Sequence, residues 1–135
     1  MNDINNLPTD VPDVFGSFQI DITGEVTKKR FLGDFSCKIP TIKDQSLISK
    51  HTAMLNGDFP SFLEPGIVKI HKMLAYLRYT LTDYPSFWKN SDLGFELRDK
   101  NVIETIYDEV LTHENNWLTQ IWGEAQNEST DSKES

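Results

Sequence analysis

The chain has 135 residues, 38% hydrophobic and 11% aromatic, with a formal charge of −8; this suits one globular domain able to bury roughly two-thirds of its unfolded surface. Net acidity excludes sequence-independent nucleic-acid binding, which needs clustered Lys and Arg. A lone cysteine, Cys37, excludes an intrachain disulfide, and with no basic-plus-apolar leader and no run of about 18 apolar residues the chain reads as a soluble protein of a reducing cytoplasm.

Residues 1–14 hold Asp3, Asp10, Asp13 and two prolines, with no basic residue and no periodicity. They read as a flexible arm. From Phe15 the pattern alternates: Phe18, Ile20 and Ile22 on one face, Gln19 and Asp21 on the other. Thr23-Gly24-Glu25 supplies a turn. Phe31, Gly33, Phe35, Cys37 and Ile39 then alternate with polar or exposed neighbours. The two runs predict a β-hairpin across about 15–39, with Gly33 at a bulge or a close backbone approach.

Thr41 and Asp44 have the spacing of a capping-box variant. A helix follows over about 42–56, with Leu47, Ile48, His51, Met54 and Leu55 on one side and Gly57 as its terminator. Asp58 to Leu63 is a loop carrying Phe59, Pro60 and Phe62. Pro65 opens a second helix, whose stripe of Ile67, Ile70, Leu74, Leu77 and Leu81 extends it to about 83. Pro85 stops it. A third helix runs over about 99–123, with Asp99 as N-cap and Val102, Ile103, Ile106, Val110, Trp117 and Ile121 in helical register. Residues 124–135 are small, polar and acidic, and read as a disordered tail. The fold class is therefore α+β: an N-terminal β-hairpin followed by a three-helix, mainly helical subdomain, one domain over 15–123. Phe18, Ile20, Phe35, Ile70, Leu74, Leu77, Ile103, Ile106 and Val110 are its expected core.

No catalytic or metal-binding set can be assembled. His51, His71 and His113 fall on three different helices with no ligand-like spacing, and Cys37 alternates inward as a small hydrophobe. No cofactor is implied. The connection from Tyr84 to Asp99 is the unusual feature, because it joins two helices and is as aromatic as a core. Tyr84, Phe87, Trp88, Leu93, Phe95 and Leu97 must either pack under the helices or bind something. Tyr84, Phe87, Trp88 and Trp122 are the candidate protein-binding residues. Trp88 reads as mostly structural, with Phe87 and Tyr84 nearer the surface.

The order of motifs is Arg30-Phe31-Leu32-Gly33-Asp34-Phe35, Lys38-Ile39-Pro40-Thr41, Leu74-Ala75-Tyr76-Leu77, Tyr84-Pro85-Ser86-Phe87-Trp88, Gly94-Phe95-Glu96-Leu97-Arg98-Asp99 and Asn101-Val102-Ile103. Over about residues 15–122 it resembles the tail assembly chaperone-like proteins of tailed bacteriophages, with Phe87-Trp88 where relatives have paired Trp. The resemblance implies a non-enzymatic protein that coats the tape-measure protein, or contacts the tube protein, in the cytoplasm of an infected cell. It implies contact with tail proteins and room for self-association, without nucleic acid or membrane. A minor virion component of tail, neck or baseplate and an acidic DNA mimic are the alternatives.

Overall fold

The structure, a computed structural model, describes residues 15–134, with side chains as far as Ile121. The expected arm at 1–14 lies outside the described residues, and Trp122 outside the described side chains. The alternating runs form the antiparallel strands β1 (Phe15–Thr23) and β2 (Arg30–Lys38). Their register places Phe18 opposite Phe35, Ile20 opposite Gly33 and Ile22 opposite Phe31. One face of the hairpin is thereby apolar. Phe18 stacks on Phe35 with ring centroids 5.3 Å apart, but it is half-buried, because β1 is the edge of the sheet. Gly33 keeps regular register. It serves the close approach, since a Cβ there would lie 2.5 Å from the Pro85 ring.

The helix α1 (Ile42–Asn56) starts where the capping box predicts. The Asp44 N–H donates to Thr41 Oγ1 (3.1 Å), and the Thr41 N–H donates to Asp44 Oδ2 (2.9 Å). Lys38 Nζ, 3.0 Å from the same carboxylate, ties the helix start to the end of β2. The contact with the Thr41 N–H, then with Lys38, outweighs burial and holds the Asp44 carboxyl below its ordinary range.

The second helix, α2, covers Pro65–Thr80 and ends three residues short of the expected 83. Leu81–Asp83 instead forms a short strand, β3, on the free edge of β2, with Leu81 opposite Cys37. The sheet is therefore three-stranded, in the order β1-β2-β3. Leu81 is buried either way, so its apolar character could not separate the last turn of a helix from the first residue of a strand. The connection contains a further short helix, α3 (Ser86–Asn90).

The last helix, α4, covers Lys100–Glu134. Its backbone passes through Gly123 instead of stopping there, so the expected boundary at 123 is not marked by the backbone. A lone glycine costs a helix only about 1 kcal/mol, and no proline follows it. No helix among the described residues is long and apolar enough to cross a membrane.

The core lies between the inner face of the sheet and the helices α2 and α4. Every expected core residue except Phe18 is buried. Tyr76 of α2 donates a hydrogen bond to the Glu114 carboxylate of α4 and meets the Tyr107 ring edge-on at 5.5 Å. Burial, then this carboxylate, raises the Tyr76 phenol well above its ordinary range. Among the residues of α1, only Asp44 is buried. Leu47, Ile48, His51 and Leu55 are half-buried and Met54 is exposed, so the apolar side expected for this helix is only partly covered.

The two halves of the chain are joined by Asp99. Its carboxylate, expected to cap α4, reaches the hairpin turn instead. It accepts from the Val26 and Thr27 N–H groups (2.6 and 2.8 Å) and from the Thr27 hydroxyl (2.6 Å). Asn101 adds bonds to the Thr23 carbonyl and from the Glu25 N–H. A side chain at position 24 would collide with this carboxylate, since a Cβ on Gly24 would lie 2.4 Å from Asp99 Cγ.

Candidate protein-binding surface

The connection from Tyr84 to Asp99 divides into a buried half and an exposed half. Trp88 of α3 is fully buried and meets Phe35 edge-on at 6.3 Å. Its place among the binding candidates is therefore corrected: it presents no surface to a partner. The position follows from local geometry, because Pro85 starts a single helical turn that swings the indole under the sheet. The indole N–H is buried and has no acceptor among the described residues. Phe87 is half-buried, edge-on to Phe31 (5.1 Å) and Phe35 (6.0 Å). Tyr84 is also half-buried against the core. Both lie at the core margin, nearer the surface than Trp88.

After α3 the chain enters a left-handed turn. Asp92, Leu93 and Gly94 have φ of 54°, 52° and 90°. Left-handed backbone costs roughly 1–2 kcal/mol for each residue bearing a Cβ. Four hydrogen bonds hold it: Gly94 N–H to Ser91 Oγ (3.2 Å), Phe95 N–H to the Asp92 carbonyl (3.2 Å), Glu96 N–H to the Ser91 carbonyl (2.9 Å) and Leu97 N–H to the Gly94 carbonyl (3.2 Å). Gly94 is required twice, by its φ and by Trp88, since a Cβ would lie 2.4 Å from the indole ring. The turn folds over the buried indole and delivers Phe95 to the outside, 52% exposed. Persistent strain of this kind concentrates at binding and switch segments.

Phe95 stands between two adjoining hollows. One, of about 160 Å³, lies between α1, α2 and the turn, with Met54, Leu55, Leu74 and Leu93 as apolar walls and His51, Arg78 and Asp92 at its margin. The other, of about 150 Å³, has Ile67, Ile70, Leu74, Leu97 and Ile103 as walls, and His71, Arg98 and Lys100 around it. Leu74 and Phe95 belong to both, so the hollows form one trough divided by the phenyl ring. An apolar cavity of about 150 Å³ admits a benzene-sized group, so each hollow fits one side chain. His71 Nδ1–H donates to Asn56 Oδ1 (2.9 Å), which ties α2 to the end of α1. Burial pushes the imidazoles of both His51 and His71 below their ordinary value of 6.5, with nearby Arg78 adding to the effect at His51.

Beyond the trough, further apolar residues are exposed. Phe59 precedes the 3₁₀ turn Pro60–Phe62 and Phe62 ends it; they are 68% and 83% exposed, with rings 5.9 Å apart. Ile42, in the first turn of α1, is also exposed, as is Met54, a wall of the first hollow. Singly such residues are ordinary; Met54 and Phe95, which are exposed and also line a hollow, are the ones that mark an interaction surface.

No family model, curated protein or solved structure matches this chain. The surface must be judged on its own chemistry. Among the described residues no group of three or more His, Cys, Asp or Glu could hold a metal. Cys37 is fully buried, and burial pushes its thiol up, which disfavours the nucleophilic thiolate. His51 and His71 line different hollows, while His113 lines neither and packs under Gly16 of β1. The three are not brought together. Of the sequence candidates, Tyr84 and Phe87 stay at the margin of the core and Trp88 inside it. Phe95, Met54, Phe59 and Phe62 are the residues that sequence reasoning did not select. The signal was available in part: Phe95 follows a glycine in a segment too aromatic for a loop, and Phe59 and Phe62 bracket a proline.

Proposed function

We propose that this protein is a non-enzymatic assembly factor of the phage tail assembly chaperone type, holding an apolar helical segment of a tail protein in the trough around Phe95. The sequence resemblance suggests the tape-measure protein as client. The observation that carries the reading is the left-handed turn at Asp92–Gly94, which keeps a phenyl ring exposed between two apolar hollows. An amphipathic helix laid across such a trough inserts side chains from successive turns on either side of the ring. Helix-in-groove recognition of this kind needs no reacting group, only complementary shape and the release of water from apolar surface.

The test is a pull-down of the co-expressed tape-measure protein with wild-type protein and with Phe95→Ala. The phenyl is half out in solvent, so its removal should leave the unfolding midpoint nearly unchanged while weakening capture at least tenfold, about 1.4 kcal/mol. Undiminished capture by Phe95→Ala would remove the trough from the reading. Mass spectrometry of purified particles separates the alternative: a chaperone should be absent from them, a minor virion component present.

A further inference from the structure

The margin of the Phe95 trough has a charge opposite to that of the protein. The chain carries −8, yet α2 holds Lys69, Lys72 and Arg78 and no acidic residue. Arg98 and Lys100 stand beside the hollow walled by Ile67 and Ile70, and Arg78 beside the other. Both Arg98 and Lys100 are exposed and form no ion pair among the described residues. Asp92 is the one carboxylate lining the described trough. Asp99, between the two cations in sequence, is turned into the hairpin turn and spends its oxygens there. The trough thus has an apolar floor and unpaired guanidinium and ammonium groups beside it.

We infer that the segment docking in this trough is an amphipathic helix whose apolar stripe is flanked by acidic residues. Two apolar side chains enter the hollows on either side of Phe95, and carboxylates on the flanks of the stripe pair with Arg98, Lys100 and Arg78. This rests on the trough being the client site and adds the charge of the client. Complementary charge fixes register and speeds encounter, while a basic helix would be repelled by the same groups. The C-terminal end of α4 is itself acidic, with Glu124, Glu128, Asp131 and Glu134 against Lys133. A second copy is therefore the competing occupant that the experiment must separate.

The probes are two labelled helical peptides with the same leucine stripe, one flanked by Glu and the other by Lys. Their binding to the full-length protein is followed by fluorescence anisotropy at low and high salt. The Glu peptide should bind about tenfold tighter at low salt. The difference should shrink at about 1 M salt, where the Debye length falls to roughly 3 Å. Arg98→Glu with Lys100→Glu should reverse the order, Arg98→Gln with Lys100→Gln should narrow it, and Phe95→Ala should weaken both peptides. Equal or tighter binding of the Lys peptide, or no binding of either, overturns the inference. So does self-association in sedimentation that the double charge reversal abolishes, since the occupant would then be a second copy. The two levels fail separately. Capture of the tape-measure protein without a peptide charge preference leaves the assembly reading and removes this one. A preference for the Glu peptide with no such capture supports the acidic-helix site and removes the tape-measure client.

Discussion

Trp88 and Phe95 lie seven residues apart on one connection and have opposite roles, decided by a glycine between them. Gly94 alone can sit against the indole at the φ the turn needs, so the chain passes over Trp88 and releases Phe95 outward. Trp88→Ala removes a fully buried indole and should cost about 3–5 kcal/mol, a large share of the roughly 5–15 kcal/mol of a typical domain. Trp88→Phe should cost much less than this, because it keeps an aromatic ring against Phe35 and removes an indole N–H that has no described acceptor. Denaturant unfolding of both variants checks the pair. Equal losses would mean that the indole nitrogen is satisfied in solution. That the segment was aromatic beyond the needs of a loop was legible from its residues. Which ring would face out was not, because the choice depends on left-handed backbone that continues from Asp92 through Leu93, a residue type that rarely adopts it.

At the scale of elements, the readable features were those with a local cause. The hairpin follows from strict alternation, α1 from reciprocal hydrogen bonds between Thr41 and Asp44, and α2 from Pro65 and its apolar stripe. What escaped had a tertiary cause. Leu81–Asp83 leaves the helix because the free edge of β2 can accept it, a fact absent from any window of the sequence. The partly open face of α1 escaped for a similar reason: its apolar residues have helical spacing but too few neighbours to cover them. A helix held by one partner and its own cap should be sensitive to that cap. Thr41→Ala should destabilise the protein by about 1 kcal/mol, with the loss concentrated in amide protection of the first turn of α1. Unchanged protection there would mean that Lys38 and Asp44 hold the helix start without the hydroxyl.

The whole molecule is closed by a carboxylate. Asp99 and Asn101, at the start of α4, bind the β1–β2 turn across more than 70 residues of sequence, so the hairpin and the helical layer are linked by polar contacts as well as by their shared core. Burial alone would raise the Asp99 carboxyl. The Thr27 hydroxyl and the Thr27 and Val26 N–H groups more than offset this, and it lies below its ordinary value of 3.8. The sign of the pH effect follows. The unfolded state binds the proton more readily, so the stability this group contributes is present above pH 3.8 and is lost as pH falls through the lower folded value. Asp44 and Asp21, also lowered by their partners, act in the same direction. Asp99→Asn keeps the size of the side chain but can accept with only one oxygen, and its amide would face the N–H donors of the turn. The variant should have a lower unfolding midpoint at pH 7 and a shallower further loss between about pH 5 and pH 2. Wild type and variant should therefore converge in acid. Curves that stay parallel across that range would show that Asp99 is protonated with its ordinary affinity. The hairpin turn would then be held to α4 by the neutral hydrogen bonds of Asn101.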